Sequence, residues 1–299
     1  MCRHPLFNYR FTTQFMKKYL LSLLFLLPVL LSAQGMWIPL LLEKQNEKEM
    51  KALGLKLDAD DIYSNFDPSI KDAICQFDGG CTGEMISGEG LLLTNYHCGF
   101  DAIQQLSTLE NNYIENGYWA KSRAEELPAK GVTAVFISKM EDVTILALQG
   151  VSEGMGERDR QSQIDKNLAQ IRVNTKKGKS EDIQIRPFYN GNQYYLFLTR
   201  TYKDVRFVGA PPNSIGKFGA DTDNWVWPRH NGDFSVFRVY ADKEGNPAEY
   251  AADNVPYKPA KFLSISLDGV EEGDFTMVYG FPGRTDEYLT EAAVKQVGE

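Results

Sequence analysis

Short apolar runs separated by turn residues dominate the pattern of hydrophobic and polar positions along this chain. From Ile70 onward the runs have β-type composition, and glycine-rich turns such as Gly79-Gly80 and Gly88-Glu89-Gly90 separate them. This pattern predicts antiparallel strands joined by tight turns. The predicted strands are Ala73–Phe77, Thr82–Ser87, Gly90–Thr94, Val132–Lys139, Val143–Leu148, Ile183–Pro187, Tyr194–Tyr202, Asp204–Val208, Phe234–Tyr240 and Phe275–Gly280.

Helical patterns are few by comparison. Leu41–Leu53 suits a surface helix closing at Gly54, and Asp58 begins another short one. Asp101–Leu109 is also predicted to be helical, as is Glu157–Ile171, where apolar residues recur at helical spacing. From Asp286 to Glu299 the composition becomes helical again. Many short strands with few helices favour a barrel or sandwich over a parallel α/β sheet.

Composition and charge narrow the class of protein. The chain has 299 residues, is 43% hydrophobic and carries a formal net charge of −8. This apolar content predicts a packed core rather than disorder. A nucleic-acid surface needs clustered lysine and arginine, and the sequence has no such stripe. We therefore expect no nucleic-acid partner.

The N-terminus has the pattern of a secretory signal. Met16-Lys17-Lys18 is a charged start, Tyr19–Leu31 is an apolar run, and Ser32-Ala33-Gln34 is a small-residue exit. A membrane anchor is the alternative, but the run falls short of the roughly 20 residues that span a bilayer. We therefore predict an upstream extension over residues 1–15, a signal peptide over 16–33, and no membrane span in the mature chain.

Three cysteines remain after removal of such a signal: Cys75, Cys81 and Cys98. In an oxidising compartment they predict one disulfide and one leftover thiol. A zinc site would need four nitrogen or sulfur ligands, and only His97 and His230 remain to join the thiols. Because the adjacent His97-Cys98 pair is poorly spaced for one ion, we expect no metal and no other cofactor.

The most informative stretch runs from Gly80 to Gly99. Two predicted strands end in His97, with Cys81 at the start of the first strand and Cys98 directly after the histidine. This arrangement resembles the histidine region of chymotrypsin-like serine peptidases. A Cys81–Cys98 disulfide would hold His97 against the adjacent strand, as a general base requires. The alternative is a structural histidine after an ordinary strand.

A second unusual stretch, residues 216–238, contains three carboxylates, two tryptophans and a histidine within a short span. The regular oxygen spacing of a calcium loop is absent. Together with Cys81–Gly83, Asn95–Ala102 and Gly280–Thr285, this stretch resembles the bacterial dipeptidyl-peptidase 7 and 11 family of serine exopeptidases. The resemblance covers nearly all of the mature chain.

The resemblance implies specific roles. The triad histidine falls on His97 and the triad aspartate on Asp233, and Asn224 and Trp225 match positions that hold the free α-amino group of the substrate. The rival carboxylates Asp221 and Asp223 are interpreted as turn caps. Trp227 is interpreted as a packing residue and His230 as a structural one.

The family also implies a fold and an extent. We expect a mainly β, chymotrypsin-like antiparallel β-barrel with short helices over residues 34–285, and the truncated start of an inserted helical domain over 286–299. The nucleophilic serine is expected beyond this chain, because neither Ser214 nor Ser235 has a Gly-x-Ser-Gly setting. The chain alone is expected to be inactive.

The expected function of the full-length protein is release of dipeptides from oligopeptides with a free N-terminus, in the periplasm or at the surface of a bacterium. The preference at the second substrate residue, acidic or apolar, is not encoded in these residues. A homodimer is compatible with the resemblance. The alternatives are a secreted endopeptidase of the same fold and a non-catalytic secreted binding module.

Overall fold

The computed structural model describes residues 37–219, 230–283 and 289–298. By its internal contacts, Pro39–Glu299 forms one compact unit. Its strands are β1 (Ile74–Phe77), β2 (Cys81–Met85), β3 (Leu91–Thr94), β4 (Tyr118–Trp119), β5 (Leu127–Pro128), β6 (Ala134–Asp142), β7 (Asp182–Phe188), β8 (Gln193–Tyr202), β9 (Asp204–Ala210), β10 (Ser235–Ala241) and β11 (Val255–Pro256).

The helices among the described residues are mostly a single turn long. They are α1 (Leu42–Gln45), α2 (Glu47–Ala52), α3 (Ala59–Ile62), α4 (Tyr96–Leu106), α5 (Tyr113–Asn116), α6 (Thr144–Ala147), α7 (Glu157–Asn174), α8 (Asn213–Gly216) and α9 (Glu291–Gly298). Short 3₁₀ turns cover Pro39–Leu41, Ile70–Ala73, Arg123–Glu125 and Tyr189–Gly191. None of the helices in these described ranges is long and apolar enough to cross a membrane.

All strand pairs in the sheet are antiparallel. The order is β4-β9-β10-β3-β2-β1-β6-β8-β7, with β5 on β9 and β11 on β10. Strands β1 and β10 are three positions apart, which in a flat sheet means about 14 Å. Yet the rings of Phe77 in β1 and Phe237 in β10 lie 4.9 Å apart. The sheet therefore curls around a shared core, and the prediction of a mainly β antiparallel barrel is confirmed.

The buried apolar side chains of the described residues form two cores. The main one fills the curled part of the sheet with fully buried side chains, including Phe77, Met85, Leu92, Tyr202, Phe207 and Phe237. The second lies where β7 and β8 are covered by α7, whose Ile164 and Ile171 pack with Ile185 and Leu196. The predicted amphipathic helix is confirmed, and its apolar spacing explains why it covers the sheet.

Three predicted elements differ from the structure. The β-branched run Val143–Leu148 was predicted as a strand, but Thr144–Ala147 is a helical turn, because Asp142 accepts the Thr144 N–H and Ala147 packs in the second core. The predicted strand Phe275–Gly280 is not a strand. The next residue, Phe281, donates its backbone N–H to a side chain, Thr82 Oγ1, at 2.8 Å and not to a neighbouring strand. The predicted helix Leu41–Leu53 is broken into α1 and α2 at Asn46.

Candidate active site

The candidate site begins where β3 passes into α4. Strand β3 ends at Thr94 and α4 begins at Tyr96, so His97 lies in the first helical turn and not at a strand end as predicted. Asn95 between them has extended backbone, and its side chain makes no capping bond to the helix. Its amide instead donates to the backbone carbonyl of Asp233, at 3.2 Å.

Asp233 reaches His97 because β10 pairs with β3. Ser235 is opposite Thr94 in the register, so the residues just before β10 lie beside the start of α4. The Nδ1 atom of His97 lies 2.8 Å from Asp233 Oδ2. The backbone N–H of the same histidine donates to Asp233 Oδ1 at 3.0 Å. The two residues are 136 positions apart in sequence, and the fold brings them together.

This geometry orients the imidazole. A carboxylate only accepts hydrogen bonds, so Nδ1 carries the proton and Nε2 is the nitrogen left to act on another group. The Asn95 amide also reaches Asp233 Oδ2, at 3.4 Å, so one carboxylate receives donors from three groups. The His97 side chain is 62% exposed, which leaves it accessible to a reacting molecule.

A disulfide and a glycine hold the first turn of α4 in place. Cys81 at the start of β2 is bonded to Cys98, with 6.1 Å between their Cα atoms, the pairing expected from the sequence. A Cβ added to Gly99 would lie 2.6 Å from Ser235 Oγ and 2.9 Å from the Phe237 ring. Only a residue without a side chain lets α4 approach β10 this closely.

A buried ionic network stabilises β10, the strand that follows Asp233. The carboxylate of Glu126 accepts from Arg238 Nε at 2.8 Å and from the Tyr240 hydroxyl at 2.7 Å. Burial, together with the bond to Glu126, raises the pKa of Tyr240 to about 12. On neighbouring β9, Arg206 and Asp204 form a two-point ion pair. These bonds satisfy polar groups that would otherwise be costly to bury.

Exposed apolar side chains adjoin Asp233. The rings of Trp119 and Phe234 lie 6.0 Å apart, and both side chains are partly exposed. Trp119 covers Gly209 of β9, where a Cβ would meet the indole at 2.3 Å. The sequence interpretation assigned no role to Trp119, whose only local signal is the aromatic pair that it forms with Tyr118 in a two-residue strand.

The structure places the other candidate residues as follows. Asn224, Trp225, Trp227, Asp221 and Asp223 lie outside the described residues, so their roles stay predictions. His230 is exposed.

The two serines considered as nucleophiles have different surroundings. Ser235 is fully buried, and its hydroxyl donates to the Asn95 carbonyl at 2.8 Å, which is a structural use. Ser214 lies in the single-turn helix α8.

Two further titratable groups lie near β2. Cys75, the remaining cysteine of the described part of the chain, is fully buried in β1, and burial raises the pKa of its thiol. Burial also raises the pKa of Glu84 in β2 to about 7. Over the same described ranges, one group of potential metal ligands converges: Cys81, His97 and Cys98, with donor atoms within 4.8 Å of one another.

Comparison with known proteins gives consistent relatives. The chain is 55% identical over 284 residues to an Asp/Glu-specific dipeptidyl-peptidase of Capnocytophaga gingivalis, and 47% identical over 286 residues to a dipeptidyl-peptidase 7 of the same organism. Each alignment covers 94% of this chain and 40% of the relative. The chain thus spans about 40% of the length of these curated relatives.

Solved structures agree with the sequence relatives. The crystal structure of Porphyromonas endodontalis DPP11 superposes with a TM-score of 0.71 and 45% identity, over 80% of this chain and 35% of that one. The profile of the peptidase S46 family matches residues 32–299. With this match and these identities, the chain belongs to the peptidase S46 family.

Proposed function

We propose that this chain supplies the general base and its orienting carboxylate to a serine-type dipeptidyl peptidase, which releases dipeptides from oligopeptides with a free N-terminus. The observation that carries the proposal is the 2.8 Å contact between His97 Nδ1 and Asp233 Oδ2. The relatives named as dipeptidyl-peptidases support it, as do structures of P. endodontalis DPP11 in complex with the dipeptides Arg-Glu and Arg-Asp.

The mechanism follows from the orientation of the ring. Asp233 accepts Nδ1–H and favours the imidazolium, while Nε2 takes the proton of a serine hydroxyl and later gives it to the leaving amine. We propose that this serine and the oxyanion donors belong to the remainder of a longer protein, since no serine of this sequence has a Gly-x-Ser-Gly setting. The Cys81–Cys98 disulfide keeps the histidine in place through both proton transfers.

Recognition of the substrate amine is assigned to Asn224 and Trp225. An amide oxygen can accept from an ammonium group, and an aromatic face attracts a cation. Such a clamp distinguishes an exopeptidase from an endopeptidase, because only the exopeptidase needs a free N-terminus. The support is the match of residues 216–238 to the family pattern.

The proposed location is the periplasm or the bacterial surface. The charged start, apolar run and small-residue exit of residues 16–34 support removal of a signal peptide. The Cys81–Cys98 disulfide is typical of an oxidising compartment. Sequencing the N-terminus of the mature protein tests this, and retention of residues 16–33 would contradict it.

The peptidase proposal is tested in the full-length protein with dipeptidyl substrates that carry a chromogenic leaving group and an acidic or apolar second residue. We expect turnover only when the substrate N-terminus is free. Equal rates on N-acetylated substrates would favour the endopeptidase, and no turnover of either substrate would favour the binding module.

The residue roles are tested in the same assay. Asp233→Asn should lower kcat by a factor on the order of 10⁴, because the ring then loses its preferred tautomer and orientation. His97→Ala should abolish turnover. The matched control His230→Ala should retain it, since the family resemblance gives His230 no catalytic role. Normal turnover in the Asp233→Asn variant would show that the assignment is wrong.

A further inference from the structure

Three metal-binding side chains converge at the candidate site although the chain separates them. Cys81 comes from the start of β2, whereas His97 and Cys98 come from the first turn of α4. Their donor atoms lie within 4.8 Å of one another, with the two sulfur atoms joined in the Cys81–Cys98 disulfide. The sequence argued against a metal because only His97 and His230 remain to join the thiols and because the adjacent pair His97-Cys98 is poorly spaced for one ion. The fold adds the third ligand from another element.

The three side chains are held together by contacts other than the disulfide. Thr94 Oγ1 donates to the Thr82 carbonyl at 2.7 Å, next to Cys81. The hydroxyl of Ser235 donates to the Asn95 carbonyl at 2.8 Å, next to the start of α4. The His97 N–H binds Asp233 independently of its ring. Breaking the sulfur–sulfur bond therefore leaves both elements anchored.

The chemistry of the set suits a soft divalent cation. Two thiolates and one imidazole, with water in the fourth position, are a ligand set that Zn²⁺ takes in tetrahedral sites. A histidine that ligates a metal usually donates its other ring N–H to a carboxylate, which fixes the ring. Asp233 already occupies such a place beside His97. Both cysteines are partly exposed, so a reductant and a hydrated ion can reach them.

We propose that reduction of the Cys81–Cys98 disulfide converts the candidate active site into a Zn²⁺ site formed by Cys81, Cys98 and His97. An external dithiol supplies two electrons and two protons and is itself oxidised to a disulfide, while the Cys81–Cys98 bond breaks to two thiols. Binding of Zn²⁺ then releases the two thiol protons. The ion then binds the imidazole of His97, and the histidine can no longer act as a base.

The experiment measures Zn²⁺ binding to residues 34–299, the predicted mature part that contains the compact unit Pro39–Glu299, oxidised and reduced, by competition with a chromogenic zinc chelator. The reductant is a phosphine that is removed before titration. We expect one equivalent of Zn²⁺ to bind tightly to the reduced chain and none to the oxidised chain. This readout needs no peptidase activity, so its outcome is independent of the proposed function.

Variants separate this site from unspecific binding to thiols. Cys81→Ser, Cys98→Ser and His97→Ala should each weaken binding by more than Asp233→Asn does, and the latter should weaken it about 10- to 100-fold through the lost support of the ring. Cys75→Ala and His230→Ala are the matched controls and should leave affinity and stoichiometry unchanged. Near-ultraviolet circular dichroism reports whether the reduced chain stays folded.

Three results would overturn the proposal. The first is equal affinity of the reduced parent chain and its His97→Ala variant. The second is loss of the near-ultraviolet signal when the reduced chain is saturated with Zn²⁺, which would mean that no native site exists without the disulfide. The third is equal binding by the oxidised chain, which would show that the sulfur atoms take no part.

Discussion

Replacement of Glu126 by alanine tests the buried network that holds β10. The Glu126 side chain is 2% exposed and its partner Arg238 is 13% exposed, so solvent cannot replace the lost carboxylate. In the variant the Arg238 guanidinium would keep its bond to the Glu89 carbonyl, at 2.6 Å, but would lose its carboxylate partner. The Tyr240 hydroxyl would lose its acceptor. Removing one partner of a buried ion pair costs about 3–5 kcal/mol. That is a large share of the roughly 5–15 kcal/mol by which a domain is stable.

Urea unfolding followed by circular dichroism measures this loss, provided that the slope m stays unchanged. Glu249→Ala is the matched control. It removes the carboxylate of an ion pair with Lys203 whose side chains are both more than half exposed, and it should destabilise the chain much less than Glu126→Ala does. Glu126→Gln should lie between the two, because an amide keeps one acceptor. If Glu126→Ala destabilises the chain no more than Glu249→Ala, the network does not hold β10 as argued.

Three further predictions concern residues of β2 and α4. Gly99→Ala should lower the free energy of unfolding in urea by about 1–3 kcal/mol, because its Cβ would overlap β10. Gly80→Ala, with open space around it, should be nearly neutral. Equal effects of the two variants would contradict the close packing of α4 on β10. Because burial raises the pKa of Glu84 to about 7 from 4.5, the folded state holds this proton longer than the unfolded state. The protonated Glu84 carboxyl therefore contributes stability below pH 4.5, and this contribution is lost as the pH rises to about 7. In Glu84→Gln, whose side chain does not titrate, the corresponding fall of the urea unfolding midpoint should be absent. Replacing both Cys81 and Cys98 by serine should cost about 3 kcal/mol for a loop of 17 residues while the fold persists, and loss of the cooperative transition would refute this.

Local pattern was enough to predict the first three strands. Ala73–Phe77 was predicted where β1 covers Ile74–Phe77, and the following glycine turns placed β2 and β3 to within two residues. The strands end at turns whose glycines have positive φ, such as Gly79 and Gly90. Sequence and structure agree here because each strand is defined by its own residues and its own turn.

The pattern of hydrophobic and polar positions could not predict contacts between distant segments. The run Val143–Leu148 has strand composition, yet packing against α7 makes part of it helical. The pairing of His97 with Asp233 depends on β3 lying beside β10, and only the family resemblance indicated it. Asn95 was missed as a partner of Asp233, because the contact joins segments 138 positions apart and the predicted helix began only at Asp101.

The buried thiol of Cys75 has a consequence for oxidative maturation. Cys75 is opposite Gly83 in the β1–β2 hairpin, with its sulfur 3.2 Å from the position of a Gly83 Cβ. Hairpins form in about 1–10 μs, whereas disulfides form over seconds to hours. Once β1 is packed in the main core, Cys75 is shielded from an oxidant, whereas Cys81 and Cys98 stay partly exposed and can be joined. Burial of Cys75 thereby selects Cys81–Cys98 among the three pairings that Cys75, Cys81 and Cys98 allow.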